Sequence, residues 1–147
     1  MSDSDLIKLY SARILGLAAE IPHLGRLPAA QGTARRRSPL CGSTVTVDVV
    51  VKEGRIADFA QDVKACALGQ ASAAVLGNVA IGRTLPELTA ARDSLRAMLK
   101  EGGPVPPAPF DAYEVLLPAR DYKNRHASIL LALEAACEAM EAAQAAA

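Results

Sequence analysis

The sequence predicts an α+β domain: a small antiparallel sheet of two or three strands packed against a layer of α-helices. Three observations carry this. Residues 44–51 alternate strictly, with Val45, Val47, Val49 and Val51 on one face and Thr44, Thr46 and Asp48 on the other, the period of a half-buried strand. Glu53-Gly54 supplies a turn and residues 56–63 return, which makes a hairpin. On either side of this hairpin, apolar residues recur at helical spacing. A chain of 147 residues is one domain, residues 1–147, long enough to bury a core.

Composition narrows the function classes. Sixteen basic residues balance sixteen acidic ones, so no electrostatic footprint for nucleic acid is present. Aromatic residues are only 3% of the chain and Trp is absent, which removes the stacking platforms of single-strand binders. The start, MSDSDLIK, lacks a signal-peptide pattern, and no apolar run reaches membrane-spanning length. The expectation is a cytoplasmic protein with no membrane or nucleic-acid partner, whose cysteines are thiols. Three cysteines, odd in number and widely spaced, make no disulfide framework. Each is a core filler, a nucleophile or a metal ligand.

In chain order, residues 4–20 read as a helix, with Leu6, Leu9, Ile14, Leu17 and Ala18 near helical spacing and Ser4 or Asp5 as N-cap. Pro22 ends it. Residues 22–39 read as a loop with one short edge strand near 33–37, where Arg35, Arg36 and Arg37 form a solvated run. In the hairpin, a two-residue turn at Glu53 and Gly54 sets Cys41 directly opposite Cys66, a spacing at which two thiolates can share a metal. That register also puts Asp58 and Asp62 on the valine face, whereas a one-residue shift puts Phe59 and Val63 there. A β-bulge near Asp58 reconciles the two and keeps the sulfurs within about one residue step.

Cys66 opens an alanine-rich helix to about Val79, where the positive end of the helix dipole favours a thiolate. Gly82 ends this unit. Thr84 and Glu87 form a capping box for a helix to about Lys100, with Leu88, Ala91, Leu95 and Met98 or Leu99 inward. Residues 101–111, EGGPVPPAPFD, are a stiff loop or flap. The last helix begins after Tyr122 and runs to about Ala143, with His126, Leu130, Leu133, Cys137 and Met140 on one face. Cys137 lies roughly 16 Å along the axis from His126, too far for one metal to use both. It reads as a buried small hydrophobe. Periodicity alone makes His126 a cap or surface histidine.

These segments together resemble the NifU/IscU/SufU-type iron–sulfur cluster assembly scaffolds along essentially the whole chain. The likeness is carried by Ser11-Ala12-Arg13-Ile14, Pro39-Leu40-Cys41-Gly42, Gly54 and Ile56 with Phe59, Ala65-Cys66-Ala67, Ala71-Ser72 and Arg125-His126-Ala127-Ser128-Ile129-Leu130. The long insertion through residues 92–121, followed by Tyr122 and Arg125, is similar to the SufU branch. Three positions depart from the family pattern: Ser43 stands where an aspartate is usual, Ala127 where a third cysteine is, and Ala65 where a glycine precedes the second cysteine.

The resemblance implies a scaffold or carrier rather than a turnover enzyme. Cys41, Cys66 and His126 are its expected metal and cofactor ligands, with Ser43 beside them hydrogen-bonding a sulfur. The implied cargo is a labile Fe–S cluster or iron. The implied partners are a cysteine desulfurase and recipient apo-proteins, and a homodimer is among the expected assemblies. A Cys₂His set with one open position also suits zinc, so a zinc-organised sulfur-transfer protein is the alternative reading. A degenerate structural or regulatory module of the same fold is a third.

Overall fold

The structure, a computed structural model, describes residues 10–40 and 42–146. Cys41 and the expected N-caps Ser4 and Asp5 therefore lie outside the described residues. The first described helix, α1 (Ala12–Ala19), starts later than the apolar spacing implied. Ser11 is extended, at φ −60 and ψ 164, and its hydroxyl accepts from the Ile14 amide. A single helix through Ser11 is therefore not formed, because an N-cap needs non-helical backbone.

Three strands follow: β1 (Gly32–Arg37), β2 (Thr44–Lys52) and β3 (Arg55–Lys64), antiparallel in the order β1-β2-β3. The turn between β2 and β3 has positive φ at both Glu53 (54°) and Gly54 (75°), the twist that suits a two-residue hairpin. Val51 pairs with Ile56 but Val50 pairs with Asp58, so Ala57 is the extra residue of a β-bulge. Beyond it, Phe59 faces Val49 and Val63 faces Val45, on the valine side of the sheet. The direct Cys41–Cys66 opposition expected from the turn alone falls on a residue outside the described set. The paired register ends at Thr44↔Lys64, short of both positions.

The remaining elements are α2 (Ala67–Val79), α3 (Leu85–Lys100), a 3₁₀ helix (Asp111–Asp121) and α4 (Lys123–Ala145). The valine face is covered by α4, which crosses β1 and β2 and is flanked by α2 and α3. Because neighbours surround α4, its buried residues, from His126 to Ala143, lie all round the helix rather than on one stripe. Contact with the sheet is close: a Cβ on Gly32 would stand 2.0 Å from the Ala139 carbonyl oxygen. Only glycine fits there.

The capping box of α3 is present, with the Glu87 amide donating to the Thr84 hydroxyl and the Thr84 amide to the Glu87 carboxylate. Leu88, Ala91, Leu95, Met98 and Leu99 are its buried face. Residues 107–110 and Glu87, Ala90 and Ala91 of α3 line one surface cleft. The 3₁₀ helix was not anticipated. It carries Pro118 inside and buries Val115 together with Tyr113, Leu116 and Ala119, the last three at the i, i+3 repeat of a 3₁₀ helix.

The outer face of the sheet is less open than its polar alternation suggests. Asp48 is 0% exposed. Arg26 donates to it through Nε (2.6 Å) and Nη2 (3.2 Å), the Leu27 amide at 3.0 Å and the Thr33 hydroxyl at 2.6 Å. These bonds fold the α1–β1 connection over the strand. The free edge of β3 is also occupied, with the Gln61 amide donating to the His23 carbonyl and the Gly25 amide to the Gln61 carbonyl. Among the described residues no helix is long and apolar enough to cross a membrane.

Candidate functional site

The site is where the starts of β2, α2 and α4 meet. Cys66 is the N-cap of α2, extended at φ −66 and ψ 169, and its side chain makes no capping hydrogen bond. Its sulfur is therefore not spent on the helix amides, and the residue is half-buried. Ahead of β2, the Ser38 amide donates to the Ser43 carbonyl at 2.8 Å and the Gly42 amide to the Ser38 carbonyl at 2.9 Å. Gly42 has φ +70, the left-handed backbone that such a tight return requires. These bonds bring the two ends of the 38–43 loop together; Cys41, outside the described residues, lies between them in sequence.

One hydroxyl connects these two segments. Ser128, in the second turn of α4, has its Oγ 3.4 Å from the Cys66 sulfur and donates to the Ser43 Oγ at 3.1 Å. Ser43 and Ser128 are both buried, at 4% and 1% exposure. A gap in α2 makes room for this: a Cβ on Gly69 would stand 2.6 Å from the Ser128 Oγ. The structure thus brings Cys66 and Ser43 together through Ser128, which entered the sequence reading only as part of the family likeness and with no role. A serine on a helix is usually solvated, and the one signal was a glycine in an alanine-rich helix.

His126 is not a surface histidine, being 3% exposed. Its Nε2 lies 3.0 Å from the carbonyl oxygens of both Ala119 and Arg120. Carbonyls only accept, so Nε2 carries the hydrogen and Nδ1 the lone pair in the neutral ring. The end of the 3₁₀ helix thus fixes the tautomer and orientation of the imidazole. A backbone acceptor on the other nitrogen is the usual support of a ligating histidine. Among the described residues no three His, Cys, Asp or Glu side chains gather as a metal site.

Cys137 is in the core at 1% exposure, and burial pushes its thiol up against the opposing pull of Arg92. Arg36 of the arginine run is not merely solvated: it reaches Glu138 at 3.1 Å and Glu134 at 3.9 Å, which ties β1 to α4.

The architecture is shared with known proteins. A NifU-like N-terminal protein from Brucella abortus superposes with a TM-score of 0.94 at 43% identity, over 97% of this chain and 99% of that one. FiSufU of the thermophile Fervidobacterium islandicum AW-1 has the same fold, with a TM-score of 0.80 at 21% identity over 91% of this chain and 98% of that one. By sequence, the iron–sulfur cluster assembly scaffold proteins IscU 1 and IscU 2 of Archaeoglobus fulgidus are each 27% identical over 92 residues. That match spans 62% of this chain and 60% of theirs. Fold and site together define the class of three-stranded α+β domains with a cysteine at a helix start. Residues 9–128 match the NifU-like N terminal domain, and the chain belongs to that family.

Proposed function

We propose that this chain is an iron–sulfur cluster assembly scaffold or carrier. It holds a labile cluster or iron through Cys41 and Cys66, with His126 as third ligand. The observation that carries the reading is the hydroxyl chain from Cys66 through Ser128 to Ser43, two residues beyond Cys41. It holds the start of α2 against the segment that bears the other thiol. Family membership and the naming of the archaeal relatives as scaffolds support the same reading. Two thiolates and one imidazole fall short of a full four-ligand set, so a cluster held here keeps an exchangeable position. That suits cargo that must leave. Sulfur would come from a cysteine desulfurase, and the products would go to apo-proteins.

Anaerobic reconstitution with ferrous iron and sulfide tests this. The wild-type chain is expected to develop a visible sulfur-to-iron chromophore, and Cys41→Ala and Cys66→Ala to lose it with their bound iron. Variants that hold as much iron and colour as wild type would remove Cys41 and Cys66 from the site.

A further inference from the structure

Resting on the reading that Cys66 is a ligand, we propose that Ser128 is a positioning residue for the cargo site. It sets the orientation of the Cys66 sulfur and fixes its spacing from the 38–43 loop. Three features converge on that one hydroxyl. Its oxygen lies 3.4 Å from the Cys66 sulfur and 3.1 Å from the Ser43 hydroxyl, so one atom bridges the starts of α2 and β2. Ser128 is 1% exposed, so water does not compete for these contacts. And α2 omits a side chain at Gly69, where a Cβ would lie 2.6 Å from the hydroxyl oxygen. Glycine inside a helix is less favourable than alanine. Here the missing methyl is the space the serine occupies.

The hydroxyl has one hydrogen and two neighbours. With that hydrogen on Ser43, the Cys66 thiol donates to Ser128. With the sulfur bonded to a metal as thiolate, Ser128 is the donor within reach. A hydrogen bond to a metal-bound sulfur lowers its electron donation and restricts its rotation. Ser128 thus acts on the cargo through Cys66 and does not touch it.

Cobalt(II) alone is the probe, titrated anaerobically into the full-length chain, with the thiolate-to-cobalt absorption and the rate of metal release to a chelator as readouts. Wild type is expected to show the band and Cys66→Ala to lose most of it; if Cys66→Ala matches wild type, the ligand reading fails and this inference with it. Given a Cys66-dependent band, Ser128→Ala is expected to shift it to lower energy and to release cobalt about tenfold faster, the lower end of what loss of an outer-shell hydrogen bond does. Ser128→Thr, which keeps the hydroxyl, is expected to restore the wild-type band. A Ser128→Ala protein that melts like wild type, with unchanged band and release, overturns the proposal while leaving the ligand reading intact. Should Ser128→Ala fail to fold, Ser43→Ala decides. Faster release supports the bridge, and an unchanged rate overturns it.

Discussion

Asp48 has no exposed surface, and burial alone would push its carboxyl up. Hydrogen bonds from Arg26, Thr33 and the Leu27 amide outweigh that and hold it below the usual carboxylate range. The stabilisation it gives is therefore present above the unfolded value of about 3.9 and disappears as pH falls through the lower folded value. Asp48→Asn is expected to lower stability at pH 7 by about 1–3 kcal/mol, with the partly exposed Arg26 placing it toward the lower end. The variant should also lose less stability than wild type between pH 5 and about pH 3, the span in which the unfolded carboxyl titrates. Urea midpoints at the two pH values measure both effects. Strand alternation placed Asp48 on the polar face of β2, but not the loop that closes over it. Its ligands come from residues 26, 27 and 33. Contacts of that kind leave no periodic trace. Ser128 escaped for a related reason: its role depends on what Gly69 lacks, a pairing across 59 positions of chain that no local pattern encodes.

The hairpin of β2 and β3 was the most legible element. Valine alternation set the inward face, and the conflict between a two-residue turn and the placement of Phe59 pointed to a bulge, which is found at Ala57. The turn itself contains a weakness. Glu53 sits at φ 54, where a side chain with a Cβ is disfavoured by about 1–2 kcal/mol and asparagine is better tolerated. Glu53→Asn is thus expected to stabilise the protein by about 0.5–1 kcal/mol, read as a higher denaturant midpoint at unchanged slope. The α3 helix was equally legible, because a capping box is a local signal. The 3₁₀ helix was not. Its burial comes from packing between α2, α3 and α4, and Pro118 breaks any helical pattern a sequence reader would follow.

Across the whole molecule the two described cysteines occupy opposite regimes. Cys66 is half-buried at the site, whereas Cys137 is 1% exposed within the helix that fills the centre of the fold. Brief treatment of the native chain with iodoacetamide, followed by peptide mass spectrometry, is expected to label Cys66 and to spare Cys137 until denaturant is added. Labelling of Cys137 at the rate of Cys66 in the native protein would contradict the packing described for α4. That contrast was partly visible beforehand, since Leu133 and Met140 share a helix face with Cys137. The depth of burial was not, because it depends on α4 having neighbours on every side.

The placement of the supporting groups on α4 also bears on when the site comes into being. A ribosome delivers the 38–43 loop and Cys66 first, and the helix that brings His126 and Ser128 more than fifty residues later. Until α4 docks, Cys66 lacks the Ser128 hydroxyl beside its sulfur. On the proposed reading, competence to take cargo is thereby coupled to completion of the domain, and a nascent chain stalled before Lys123 would carry the two proposed sulfur ligands without His126 or Ser128.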